Sequence, residues 1–345
     1  MNGKEFLKIV TTVVFILLFS FFVIPINRME AKTIELNYAT MWPDAHLMTK
    51  ADVKWARKIE KDTNGRVKIT VFSGGALINP RKDWSELVNG VADIAQVTPS
   101  YGPEGFEVHK LVRAIMHGCP DLETNKRIML DVWDKYPEIR AEWDEATIIA
   151  WTTVPSYWLN TKKPVRTLAD IKGMTIKVPS RVHGIVVNAL GGNGVTVPMP
   201  EAYVQLEKGI LDGAFAPMEA VAGFNLAEVV KNHTELHMWI GWQPNKVVNM
   251  DSWNRLPKDI QKIFLDSRPY WEDELVKGLF GMDDAGRKKV KEMGNEFIQL
   301  SPDDLKELYR VMDKEYAKEA KKLDEMGIPG TAIFNDIRQA VEQAQ

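Results

Sequence analysis

Lys177 and Arg181 stand on either side of Pro179 in the stretch TIKVPSR, with Ser180 between proline and arginine. Proline blocks helix and holds the residue before it extended. Two cations and a hydroxyl therefore gather where a β-branched strand gives way to the helical pattern RVHGIVVNALGG. The chemistry this suits is anion binding. A cation at a helix start opposes the macrodipole, and an anion seated there would take both the guanidinium and the free backbone donors. A pair of solvated surface charges is the plainer alternative. Trp42 follows the first predicted strand, Trp158 precedes KKP, and Trp239 and Trp242 precede KVVNM. Indoles at strand ends serve either core closure or the wall of a cleft, where α/β sheets place their ligands. Glu219, in APMEA after an apolar strand, is oddly placed for a surface charge; a rim salt bridge is its other reading.

Catalytic signatures are weak by comparison. His233 and His237 of HTELH read as helix partners able to face one metal, but Thr234 stands where a zinc peptidase carries its glutamate. Exposed helix histidines are the expectation. GGNG at 191–194 ends a helix and leads into a strand, the reverse of a phosphate loop. There is no GxSxG, and the single cysteine, Cys119, has no base near it in sequence. Neither a catalytic pair, a metal nor a cofactor is expected.

The elements that must position these residues alternate. Strand patterns occupy TIELNYA, RVKITVF, ADIAQVT, TIIAWTT, MTIKV, KVVNM and EFIQL. Helical patterns lie between them, closed by Gly65, Gly90 and Gly209 just before an apolar strand begins. Helix, glycine and strand in repeating order predict an α/β layered fold. The last third is helical: LPKDIQKIFLDSRPYWEDELVKGLFGMDDAGRKKVKEMG reads as one long helix bent near Pro269. A further helix carries the stripe Leu305, Leu308, Tyr309, Met312, Tyr316, Ala320 and Leu323. With 345 residues the chain is long enough for two core-bearing lobes. Its 44 basic and 47 acidic residues give no general pull toward nucleic acid or anionic lipid, so any anion must be recognised locally. Lys4 and Lys8, the apolar run Ile9–Ile24 and the small residue Ala31 have the order of an export signal over 1–31, cleaved near Ala31, with an uncleaved anchor as the alternative.

In order, WARKIEKDTNGRVKITVFSGGAL, LVNGVADIAQ, TKKPVRTLADIKGMTIKVPS, LGGNGVTVPMPEAYVQLEKGILDGAFAPME, AEVVKNHTE and VVNMDSWNRLPKDIQ resemble the DctP-type solute-binding proteins of tripartite ATP-independent periplasmic (TRAP) transporters. The resemblance implies a two-lobed, type II-like periplasmic binding fold with a cleft between lobes and long C-terminal helices. It sets lobe I at 32–153 with about 243–280, and lobe II at 154–242 with about 281–345. It implies a periplasmic protein without catalysis that captures a small organic acid and delivers it to the small and large membrane subunits. Contact with the membrane would be through that permease alone. A partner of a membrane sensor and an enzyme on the same scaffold are the alternatives.

The family's strand arginine, which grips the ligand carboxylate, is Lys177 in this chain, and lysine cannot reproduce the planar two-bond fork. Arg181, assisted by Ser180, is therefore the expected stronger grip. Tyr157 takes the place of a second arginine of sialic-acid-type members, and Ala216 that of their asparagine. Thr98 falls at the first-lobe contact, and Glu219 just beyond the second. With Tyr157, Trp158 and Trp242 nearby, the expected ligand is a small organic acid with one carboxylate and an apolar or aromatic remainder, with hydroxy acids, keto acids and sulfonates all left open.

Overall fold

The computed structural model describes residues 33–102, 105–241 and 243–345. The expected signal segment at 1–31 and Trp242 lie outside them. In chain order the elements are β1 (Ile34–Ala39), α1 (Leu47–Asp62), β2 (Val67–Phe72), α2 (Asp83–Val88), β3 (Ile94–Ala95), α3 (Glu107–Ala114), α4 (Leu122–Lys135), α5 (Pro137–Ala141), β4 (Ala146–Thr152), β5 (Tyr157–Thr161) and β6 (Thr175–Val178). There follow α6 (Arg181–Ala189), β7 (Asn193–Thr196), α7 (Met199–Glu207), β8 (Gly213–Ala216), α8 (Met218–Gly223), β9 (Asn232–Met238) and β10 (Gln243–Asn249). The chain ends with α9 (Met250–Arg255), α10 (Lys258–Asp266), α11 (Arg268–Glu292), β11 (Glu296–Gln299), α12 (Pro302–Glu325) and α13 (Gly330–Glu342).

Two sheets result. The first has the order β2-β1-β3-β10-β4, with β1 and β3 parallel and β10 antiparallel to both its neighbours. The second has the order β11-β9-β5-β8-β6-β7, with β8, β6 and β7 mutually parallel. The chain crosses from the first sheet to the second after β4 and returns after β9. It crosses a third time through α11, which touches α1 and β4 early and α8 later. A layer built from α3, α4, α6, α12 and α13 buries the largest apolar cluster, including Leu111, Ile128, Val186, Met312 and Ile337. Among the described residues no helix is long and apolar enough to cross a membrane.

Two sequence readings change. The long helix is not bent but broken: α10 stops at Asp266 and α11 starts afresh with Pro269 in its first turn, where a missing N–H costs nothing. HTELH is a strand, β9, not a helix. His233 is buried between Asn160 and Asn295, while His237 is exposed, so the two rings do not share a face. Among the described residues no His/Cys/Asp/Glu group could hold a metal.

β10 is pinned by a buried charge. Lys246 Nζ lies 2.5 Å from Asp52 Oδ1 of α1, with both side chains fully buried, and 3.4 Å from the centre of the Trp271 ring of α11. Burial pushes the lysine down to about 8 and raises the aspartate, each opposed by the other's charge.

Candidate functional site

The loops that follow the carboxyl ends of parallel strands face one another across the gap between the sheets, the position α/β folds favour for ligands. Met41 and Trp42 follow β1, and Thr98 and Tyr101 follow β3; opposite them are Pro179 after β6, Met199 after β7, and Pro217 and Glu219 after β8. Val154 and Tyr157 of the first crossing, with Arg113 of α3, close the floor. The enclosed space is about 30 Å³, room for one or two waters. A larger hollow of about 380 Å³ lies behind the crossing, but its cations Lys126 and Arg268 are accompanied by Asp134 and Glu272, so it offers no net charge to an anion.

Charge separates the cleft from the rest of the interior. Among the described residues five lysines and arginines are buried: Lys110, Arg113, Lys177, Lys246 and Arg338. Lys110, Lys246 and Arg338 have Glu107, Asp52 and Asp313 within salt-bridge distance. Among the described residues no carboxylate lies within salt-bridge distance of Arg113 or Lys177. Arg113 Nε donates to Gly241 O at 3.1 Å and Nη1 to Ser100 Oγ at 2.6 Å, while Nη2 has no partner among the described residues. Gly241 N returns a bond to Arg113 O, so the arginine is clamped to the second crossing segment. A Cβ on Gly241 would come within 2.7 Å of Met129 Sδ and 3.2 Å of Arg113 Cα, a close approach that favours glycine. Among the described residues Lys177 Nζ donates only to Phe215 O, at 3.4 Å, and it lies 6.0 Å from the centre of the Tyr101 ring that lines the cavity. Burial, and then the charge of Arg113, push Lys177 down to about 7. The same causes hold His183 at about 3, so its ring is neutral. Burial pushes the Tyr157 hydroxyl up to about 12.

The other expected residues divide. Trp42, Thr98, Tyr157 and Glu219 line the cavity, and Trp42 Nε1 and Thr98 Oγ1 are buried without a hydrogen-bond partner among the described residues. Ser180 lies behind it, its Oγ 2.7 Å from His183 Nδ1. Trp158 turns into the second lobe's core against Phe297. Arg181 does not reach the cleft. Its guanidinium is 47% exposed, reaches Glu107 at 2.9 Å and Glu319 at 2.8 Å, and lines a separate hollow between α3, α6 and α12. Two carboxylates of this chain relieve the helix start that an external anion was expected to relieve.

Arg113 and His46 were not foreseen. Arg113 carried a signal: it is the one charge inside the run LVRAIM, where a surface helix would not be apolar on both sides. His46 caps α1 and stacks on Trp42 at 4.3 Å, with its Nε2 3.3 Å from Glu219 Oε2 across the cleft.

Residues 38–323 match the family of bacterial extracellular solute-binding proteins, family 7, known as DctP. The chain belongs to that family, the TRAP solute-binding proteins. A protein from Albidiferax ferrireducens, named a solute-binding protein, is 27% identical over 59% of this chain and 61% of its own. A monocarboxylate 2-oxoacid-binding periplasmic protein from Nostoc is 25% identical over 61% of this chain and 58% of its own. The chain thus matches about three-fifths of the length of each. A TRAP solute-binding protein from Rhodoferax ferrireducens, solved with copurified benzoate, is 20% identical, covers 90% of this chain and 98% of its own, and superposes with a TM-score of 0.81. The two-lobed DctP fold is therefore that of this chain.

Proposed function

We propose that this protein is the periplasmic solute-binding component of a TRAP uptake system and captures a small organic acid by its carboxylate in the cleft between the lobes. The observation that carries this is a pair of buried cations, Arg113 and Lys177, beside one cavity, with no carboxylate among the described residues to pair with them. An uncompensated buried cation is costly, and an incoming carboxylate removes that cost while taking charge-assisted bonds. Arg113 Nη2 makes the first contact, Lys177 strengthens the field from behind Tyr101, and Trp42, Thr98 and Tyr157 enclose the remainder. The relatives crystallised with benzoate and named for 2-oxoacids support an acid with one carboxylate. The free space holds little more than water, so the solute enters as the lobes separate and is sealed in as they close. Residues 1–31 serve as the export signal, and the closed form passes its cargo to the small and large membrane subunits without chemical change.

The test is to heat the exported form, residues 32–345, against a library of organic acids, sugars and amines. A carboxylic acid that raises the melting temperature by several degrees is the expected hit. Stabilisation by neutral or cationic solutes alone would overturn the reading.

A further inference from the structure

The cleft holds a second buried charge that a simple carboxylate would leave unused. Glu219 lines the same cavity, and its side chain and that of His46 are each 1% exposed. His46 Nδ1 accepts the Met48 N–H at 3.2 Å, which places the ring proton on Nε2, facing Glu219 Oε2. The two atoms lie 3.3 Å apart, and neither Nε2 nor Oε2 has a hydrogen-bond partner among the described residues, so the carboxylate keeps acceptor capacity for a donor. Glu219 N donates to Asp283 Oδ1 at 3.1 Å, which fixes α8 from behind. Gly223 of α8 leaves the room that His46 occupies, since a Cβ there would come within 2.8 Å of the ring. Arg113 and Glu219 act on the Tyr157 hydroxyl in opposite senses, so this phenol stands between a cationic and an anionic pole.

Resting on the acid-binding reading, we infer that the solute is bipolar: a monocarboxylate whose far end carries a hydroxyl or amino group that donates a hydrogen bond to Glu219. A solute with a second carboxylate is refused. The cationic pole takes the acid, and Glu219 offers a carboxylate acceptor to what lies beyond the ring or chain. A second carboxylate would meet Glu219. A hydrogen bond to a charged group inside a dry site favours the donor-bearing acid by about tenfold or more. The like-charge contact costs at least as much.

Calorimetric titration of the wild-type protein with benzoate, 3-hydroxybenzoate, 3-aminobenzoate and isophthalate tests this, alongside the aliphatic pair propionate and 3-hydroxypropionate. Expected is about tenfold tighter binding of the donor-bearing member in at least one series, with isophthalate the weakest ligand of the aromatic set. In Glu219→Leu the ratio between donor-bearing and plain acid should collapse to about one. In Glu219→Gln, which keeps the shape and drops the charge, isophthalate should gain about tenfold relative to benzoate. Acids that bind wild type without preference for the donor, or isophthalate binding as well as 3-hydroxybenzoate, would overturn the bipolar site and leave the acid-binding reading standing. No response to any acid, with stabilisation by other solutes, would overturn both.

Discussion

Lys246 and Arg113 are both buried cations, one beneath the first sheet and one at the floor of the cleft. Lys246 is surrounded by everything a cation needs: Asp52 at 2.5 Å, the Tyr38 hydroxyl at 3.3 Å, and the ring of Trp271. Arg113 has a hydroxyl, a carbonyl and an open Nη2, and its neighbour Lys177 has a single carbonyl. The first region has its neutralising charge within the chain, so it serves to hold strand β10 to α1 and α11. In the second, no described residue supplies it. On the proposed acid-binding reading, the role that Asp52, Glu107 and Asp313 play for Lys246, Lys110 and Arg338 falls to the solute.

The largest effect should come from breaking the complete region. Asp52→Asn leaves Lys246 buried without its charge partner and is expected to destabilise the fold by about 3–5 kcal/mol in urea unfolding. The ranking of solutes should not change. Next is the incomplete region: Arg113→Met is expected to weaken acid binding by at least about 30-fold in calorimetry, the loss that follows truncation of a buried charge contact. Lys177→Met sharpens the contrast in the opposite direction. Removing a cation that burial disfavours should stabilise the free protein by about 1–3 kcal/mol near pH 6 while still weakening the acid.

The pH dependence follows with its sign. Lys177 sits at about 7 in the folded chain against an ordinary value of 10.5. Between those values the unfolded chain binds more protons, so this group's share of free-protein stability rises with pH. Acid affinity does the reverse, falling as pH rises through about 7, because the anion needs the protonated amine. Lys177→Met should flatten that affinity profile. The smallest effect is expected from Arg181→Ala: a stability change within about 1 kcal/mol, as for surface pairs.

Much of the fold was legible because hydrophobic period and glycine stops are local. The boundaries of β1, β2, β4, β6 and β11 fall within a residue or two of the alternation in TIELNYA, RVKITVF, TIIAWTT, MTIKV and EFIQL. HTELH was misread because its histidines recur at helical spacing, while what decides the segment is pairing with β5 and β11, which no local pattern contains. The site divides the same way. Trp42, Thr98, Tyr157 and Glu219 could be placed because strand ends converge on the cleft. Arg181 was misplaced for a nonlocal reason: Glu107 and Glu319 lie 74 and 138 residues away in sequence and reach it only in the fold. The dipole argument correctly required an anion at that helix start and could not say whose.

The central claim is that the unpaired cation, not the paired one, holds the acid. Titrating benzoate, by calorimetry at pH 6, into wild type, Arg113→Met and Arg181→Met tests it most directly. Binding that survives in Arg181→Met and is lost in Arg113→Met is the predicted result. Binding lost in Arg181→Met and kept in Arg113→Met would contradict it.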